Sequence, residues 1–305
     1  MLSPFDKNKL ESLLIDVGAF KELKEPCIGA SGFPLFYYIS IEKLLHDQGK
    51  WQKFGNDSSL MISHAISSQK NPLFKEVSQI LEPYANRFIG KNTLVAGYQR
   101  RDWPFSGIYA YLNKRPHFSF YKDARIKRLT FNKKMVASAE IVSILPKQRY
   151  VFISDLLNLG SSVIDGWLPS LRSQGAICQD IIYIFSRNQG GEARLKKHGI
   201  RPHSLIKLGV RFLEHYCQNK VFCVSYWRNP IASATMYLRK NGALPFLASF
   251  DPSMPEAKKA RAAIFYRDWL DKILTSTQKN RFKEALKAEF KLDIKELLIT
   301  FKAQP

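Results

Sequence analysis

The chain contains no run of about 18 consecutive apolar residues, so a membrane-spanning helix is not expected. Its first residues include Asp6 and Glu11 and lack the charged-then-apolar pattern of a secretory leader. Cysteine is scarce. The four residues Cys27, Cys178, Cys217 and Cys223 have no metal-type spacing, the closest pair being Cys217-x5-Cys223, and reduced, buried thiols are expected. His198 and His203 lie across a Gly-Ile-Arg-Pro turn instead of on one helical face, which reads as surface or packing histidines and no metal site. Repeats, low-complexity tracts and a Ser–His–Asp pattern are missing too. These absences fit a cytoplasmic or organellar-matrix setting.

The largest shortage is of acid: 26 Asp and Glu stand against 47 Lys and Arg, a net charge of +21 in 305 residues. The imbalance is local. Residues 1–90 are neutral, whereas residues 91–150 hold 13 basic against 3 acidic side chains and residues 210–305 hold 17 against 9. In 91–150 the cations are interleaved with Tyr98, Trp103, Tyr109, Tyr111, Phe118, Phe120 and Tyr121. That pattern suits a polyanion with stackable bases. Lys127, Arg128, Lys133 and Lys134, with Lys258, Lys259 and Arg261 farther on, are the nucleic-acid candidates. A basic, well-solvated surface whose aromatics are core strand residues is the alternative.

What is present is enough apolar material, 45% of residues, for one large domain and a smaller one. The most informative stretch is Tyr150-Val-Phe-Ile-Ser-Asp-Leu-Leu-Asn-Leu-Gly-Ser-Ser-Val-Ile-Asp165. Its apolar, β-rich start predicts a buried strand ending near Asp155. Gly160 permits a tight turn, and Ser162 with Asp165 has capping-box spacing for a helix start. A turn from strand to helix N-terminus offers backbone N–H donors and a positive dipole end to an anion.

That stretch resembles the phosphoribosyl-pyrophosphate motif of type I phosphoribosyltransferases, in which two acids hold the ribose hydroxyls and a hydroxyl-rich turn cradles the 5′-phosphate. Here Asp155 is the second acid, Ser154 replaces the first, and the turn is Asn158-Leu159-Gly160-Ser161-Ser162. Further segments are similar, in order, to orotate phosphoribosyltransferases. They are Leu13-Leu14-Ile15-Asp16-Val17-Gly18-Ala19-Phe20 with Ala30-Ser31-Gly32-Phe33 onward as opening helix and hairpin, Leu94-Val95-Ala96-Gly97 as the strand entering the pyrophosphate loop, Phe118-Ser-Phe-Tyr-Lys-Asp-Ala-Arg125 as the strand with the basic cluster, and Ser186-Arg-Asn-Gln-Gly-Gly191 as the double-glycine turn. The resemblance covers about residues 9–208. It implies an α/β fold with a mainly parallel sheet covered by helices on both faces for a domain at 1–209, while residues 210–305 read as a basic, mainly helical C-terminal extension that the family lacks. It also implies roles: Asp155, Lys122 and Arg125 in catalysis, Ser154, Asn158, Gly160, Ser161 and Ser162 on ribose and phosphate, and Arg100 and Arg101 in the pyrophosphate loop. Mg2+ is expected only alongside bound phosphoribosyl pyrophosphate, and a homodimer is compatible with the family.

The departures are as informative. Ala30 stands where the family has Lys. The pyrophosphate loop, normally small and glycine-rich, reads Tyr98-Gln99-Arg100-Arg101-Asp102-Trp103-Pro104, and the catalytic loop expected at 126–134 has neither His nor Gly. Losing one charged hydrogen bond costs about 1.5–3 kcal/mol, roughly 10–100-fold in rate. Losses acting on one transition state do not add simply. The expectation is therefore a degenerate enzyme binding nucleic acid or another polyanion, with a nucleotide or ribose phosphate in the remnant site. An active orotate phosphoribosyltransferase and a nucleotide or phosphoribosyl-pyrophosphate sensor remain as alternatives.

Along the chain, helices are expected near 6–17, 72–88, 104–113, 161–173 and 191–197, and strands near 93–97, 117–121, 149–154 and 178–185. A hairpin is expected near 27–43. Beyond 210, a helix end and a short strand are expected within His215–Tyr226, and a break at Arg228-Asn-Pro230. Helices follow over 255–274, started by Ser253-Met-Pro-Glu256, then over 277–289 and 292–302.

Overall fold

The computed structural model describes residues 3–29, 32–45, 53–250 and 256–294. The described chain divides into two compact units: residues 1–20 with 40–208, and residues 21–39 with 209–305. Helix α1 (Pro4–Asp16) is followed by a two-stranded sheet of β1 (Phe20–Ile28) and β2 (Pro34–Ile39), then by helices α2 (Ser58–Ser67) and α3 (Pro72–Asn86). Local chemistry sets these starts. The Asp57 carboxylate accepts the Ser59 N–H at 2.8 Å, and the Asn71 side-chain oxygen accepts the Leu73 N–H at 2.9 Å, with Pro72 opening α3 where no N–H is needed.

The first unit is built on a seven-stranded sheet. Its members are β3 (Thr93–Tyr98), β4 (His117–Phe120), β5 (Ile126–Phe131), β6 (Val136–Ile141), β7 (Arg149–Leu157), β8 (Ile177–Ser186) and β9 (Arg201–Lys207), in the spatial order β6-β5-β4-β3-β7-β8-β9. Strands β4, β3, β7, β8 and β9 run parallel, and β5 and β6 add antiparallel at one edge. Helix α4 (Gln99–Leu112) follows β3, α5 (Leu168–Ser173) lies between β7 and β8, and α6 (Gly191–Lys197) lies between β8 and β9. Phe152, Ile153, Ile181, Ile182, Ile184 and Phe185 are wholly buried, as parallel strands covered on both faces require. The mainly parallel α/β class expected from the sequence is the class observed.

Some boundaries differ. The segment read as a mobile loop at 126–134 is strand β5 and the turn into β6. The Asn132 side chain accepts the Lys134 and Met135 N–H groups at 2.8 and 2.9 Å, and the Thr130 and Ser138 hydroxyls meet at 2.7 Å across the pair. The helix expected from 104 starts at Gln99, so the segment read as a pyrophosphate loop is its first turn. Strand β9 was not anticipated.

In the second unit, helices α7 (Val210–Tyr216), α8 (Lys220–Arg228), α9 (Pro230–Asn241), α10 (Glu256–Phe265), α11 (Asp271–Ile273) and α12 (Ser276–Phe290) accompany the β1–β2 pair. Within His215–Tyr226 the expected helix end is that of α7 at Tyr216, but the short strand is not formed, because residues from Lys220 onward are helical. Asn229 breaks the chain and caps α9, accepting the Ala232 N–H at 3.1 Å, and Thr275 and Gln278 form a capping box on α12. Phe36 anchors an aromatic core, its ring 4.7–4.9 Å from those of Phe222, Tyr226 and Tyr237. Ala30 and Ser31 of the expected hairpin, the Ser253 start signal and the last helix from 295 lie outside the described residues, as does the Lys258 side chain. Among the described residues no helix is long and apolar enough to cross a membrane.

Candidate functional site

Strand β3 is flanked by β4 on one side and β7 on the other, so the chain reverses its direction of travel across the sheet there. Open α/β sheets leave a crevice at such a switch point, outside the C-terminal ends of the strands. A cleft of about 580 Å³ occupies that place, its wall drawn from the β3–α4 junction, the end of β7, β8 and the helix start after β7.

Asp102, on the first turn of α4, forms the floor. One oxygen accepts the Asp155 N–H at 3.0 Å; the other accepts the Ser154 hydroxyl at 2.9 Å and the Tyr98 N–H at 3.2 Å. The turn is held tightly: Gln99 has φ +65° and the Trp103 indole N–H donates to the Gly97 carbonyl at 3.2 Å. Asp155 accepts the N–H of Leu156 at 2.6 Å and, with Ser154, lines the cleft. Burial pushes both acids up from the ordinary carboxylate range. Asp102 is raised further by Asp155, while Asp155 is partly offset by the Arg101 guanidinium.

Neither Asp102 nor Tyr183 was singled out in the sequence, and both belong to the cleft. Asp102 carried one signal, being the only acid between residues 91 and 122. Tyr183, on β8 beside Ser154, is 2% exposed, and its hydroxyl has no hydrogen-bond partner among the described residues. A buried hydroxyl on a cleft wall is a ready contact for a ligand or water. Arg100, Arg101 and Lys122 line the same cleft, with Arg101 3.5 Å from Glu42.

The turn after β7 has Gly160 at φ +75°, and its carbonyl accepts the Val163 and Ile164 N–H groups at 3.1 and 3.0 Å to open a π-helical turn, Ser162–Trp167. The expected capping box of Ser162 and Asp165 is not formed. Arg194 from α6 draws Asp165 to 3.2 Å and donates to the Ser161 hydroxyl at 2.8 Å, so Asp165 is engaged by α6 instead. From this turn Ser162 and Val163 line the cleft; Asn158, Gly160 and Ser161 do not. The Asn158 carbonyl is packed against Gly191, where a Cβ would come within 2.0 Å of its oxygen.

Arg125 is not brought to the cleft. It pairs with Asp123 at 2.7 Å and lies 5.2 Å from the Tyr121 ring, on the exposed surface, and Lys127 approaches the same ring at 5.7 Å. Arg128 and Lys133 line a different cleft, of about 650 Å³, together with Lys114 and Arg115 and with no carboxylate on its wall. Lys134 lies exposed in the β5–β6 turn, and Lys259 and Arg261 belong to α10 in the other unit. The expectation of stackable aromatics fails for most of the set. Trp103, Tyr109, Phe118, Phe120 and Tyr121 are all under 8% exposed, because they build the core around β4 and α4.

No protein-family model matches the chain. Over 160 residues it is 28% identical to uridine 5′-monophosphate synthase of Caenorhabditis elegans, a match that takes in 51% of this chain and 27% of that protein. It thus spans roughly a quarter of that relative's length. Among solved structures it is similar to orotate phosphoribosyltransferase from Aeropyrum pernix, with TM-score 0.47 and 19% identity over 68% of this chain and 97% of that one. It is also similar to UMP synthase of Leishmania donovani, with TM-score 0.47 and 18% identity over 75% of this chain and 41% of that one. The resemblance read from the motifs is thus met by sequence similarity to a uridine 5′-monophosphate synthase over about half of this chain.

Proposed function

We propose that the cleft beside β3 and β7 holds a ligand bearing ribose 5-phosphate, either a nucleotide or phosphoribosyl pyrophosphate, in a phosphoribosyltransferase-like protein whose transfer activity is weak or lost. The observation that carries this reading is Asp102. It supplies a second carboxylate beside Asp155, in place of the acid that Ser154 replaces. Both its oxygens, however, already accept hydrogens from Tyr98, Ser154 and Asp155. The segment around it is a helix, whereas close approach of backbone amides to a pyrophosphate favours a small, glycine-rich loop. Asp155 and the Tyr183 hydroxyl are left for the ribose, Arg100, Arg101 and Lys122 for phosphate charge, and Ser162 for the 5′-phosphate. Mg2+ would accompany phosphoribosyl pyrophosphate only.

Two assays test this. Orotate-dependent release of pyrophosphate should be absent or far below that of an ordinary orotate phosphoribosyltransferase. Ribose 5-phosphate should bind, and Asp155→Asn should weaken binding by about 10–100-fold through the lost charged hydrogen bond. Robust turnover abolished by Asp155→Asn would install an active transferase in place of the degenerate one. No calorimetric binding of ribose 5-phosphate or of nucleoside monophosphates would remove the ligand reading, a sensor role included.

A second reading, binding of nucleic acid or another polyanion, is favoured by the carboxylate-free wall of Lys114, Arg115, Arg128 and Lys133. With the aromatics in the core, such binding would run through phosphate contacts and show little base preference.

A further inference from the structure

Within the second unit, three groups able to ligate a metal converge from distant parts of the sequence. Glu22 lies on β1, Cys217 ends α7 and Cys223 lies on α8. One carboxylate oxygen and the two Sγ atoms all lie within 4.8 Å of one another, and the Cys223 Sγ is 3.6 Å from Glu22 Oε1. Both cysteines are buried, at 3% and 1% exposure. We propose that Glu22, Cys217 and Cys223 form a binding site for a thiolate-preferring divalent cation, with zinc as the expected ion.

Two features support this. The first is size. With Zn–S near 2.3 Å and Zn–O near 2.1 Å, a tetrahedral ion sets its ligands about 3.8 Å apart for S···S and about 3.6 Å apart for S···O. The observed 3.6 Å and the 4.8 Å limit need only small side-chain adjustments to meet those values. The second is orientation. The Glu22 carboxylate accepts the N–H groups of Gln218 and Asn219 at 2.5 and 3.1 Å, which fixes it as outer-shell hydrogen bonds fix a ligating carboxylate.

Two thiolates and one carboxylate leave a fourth position for water, and Glu22 also lines a cleft of about 800 Å³ through which an ion can enter. Binding displaces the two thiol protons to solvent while two Zn–S bonds and one Zn–O bond form. Because Glu22 and Cys217 are nearly 200 residues apart in the sequence, such an ion would clip β1 to the α7–α8 turn, which gives it a structural role in this unit.

The test is titration of the full chain, kept reduced with a phosphine, with Co2+ as the spectroscopic probe. A 1:1 saturable sulfur-to-cobalt band in the near ultraviolet is expected, with two protons released per ion and the band erased by equimolar Zn2+. Glu22→Gln should keep the sulfur band and lower affinity at least about tenfold. Cys223→Ser should lose at least half the band while circular dichroism stays unchanged. Failure of the reduced, unmodified chain to give a sulfur band at tenfold cobalt excess overturns the proposal without reliance on any variant. A band that survives in the Cys217→Ser/Cys223→Ser double variant overturns it equally. Neither result bears on the ribose-phosphate cleft, which lies wholly in the first unit.

Discussion

Replacing Gly191 with alanine separates two reasons for a double glycine. Gly190 has φ +95°, a conformation L-residues rarely adopt, and nothing lies within 4 Å of where its Cβ would be; Gly191 has no room, its Cβ position lying 2.0 Å from the Asn158 oxygen and 3.0 Å from the Asn158 carbonyl carbon. Alanine at 190 therefore carries only backbone strain, about 1–2 kcal/mol. Alanine at 191 must push a backbone carbonyl or the start of α6 aside by about 1 Å. Overpacking of a rigid neighbour costs about 1–3 kcal/mol and sometimes more. Because the Asn158 carbonyl cannot rotate away as a side chain does, the upper end applies. About 3 kcal/mol lowers the folded-to-unfolded ratio roughly 100-fold. Asn158 also heads the phosphate turn, so Gly191→Ala should weaken ribose 5-phosphate binding while Gly190→Ala leaves it nearly unchanged. Urea titrations would give the stability ranking, and calorimetry on the two variants the binding ranking. If Gly191→Ala is no less stable than Gly190→Ala and binds as well as the parent, the packing of the double-glycine turn against the phosphate turn has been misread.

Three further outcomes are expected. Burial raises both Asp102 and Asp155, with the Asp155 charge raising Asp102 further, so the fold favours their protonated form. Their contribution is present at low pH and is lost as pH rises from the unfolded value near 3.8 through the raised folded values, a slope in urea stability that Asp102→Asn should flatten. His117 has the opposite sign. Wholly buried between the Ser106 and Ser119 hydroxyls at 2.8 and 3.1 Å, its pKa is lowered by burial to about 3. It stabilises the fold above the unfolded value of 6.5 and withdraws about 2 kcal/mol between pH 7 and pH 5, a loss that His117→Asn should abolish. On the basic wall, Arg128→Ala with Lys133→Ala should weaken single-stranded RNA or DNA binding and lower the slope of log affinity against log salt by about 1–2, with unchanged circular dichroism; equal binding by variant and parent would leave that wall a solvated surface.

Much of the fold was legible because local rules and tertiary packing agree. The apolar run Tyr150–Ile153 could only be a covered strand, Gly160 does take positive φ, and the break read at Arg228-Asn-Pro230 falls between α8 and α9. The misreadings fell where sequence signals were ambiguous. Residues 126–134 mix cations with Ile126, Leu129 and Phe131, and the strand pattern there is confirmed only by pairing with β4 and β6. Gln99–Trp103 was read as a loop by position in the resemblance, yet Asp102 holds the Tyr98 N–H and stabilises a helix start there.

The sequence by itself determined the parallel α/β class, the glycine turn beside the strand of Asp155 and the uneven distribution of basic charge, because each rests on residue type or short-range spacing. Tertiary structure alone decided which groups meet. Asp102 reaches Ser154 and Asp155 across about fifty residues, and Tyr183 arrives from a neighbouring strand. Glu22 joins Cys217 and Cys223 from nearly 200 residues away, a grouping that cysteine spacing cannot reveal. The physical reason is common to all three. Periodicity records which face of an element is buried, but which element that face meets is set by strand order and helix packing, whose long-range contacts leave no local mark in the chain.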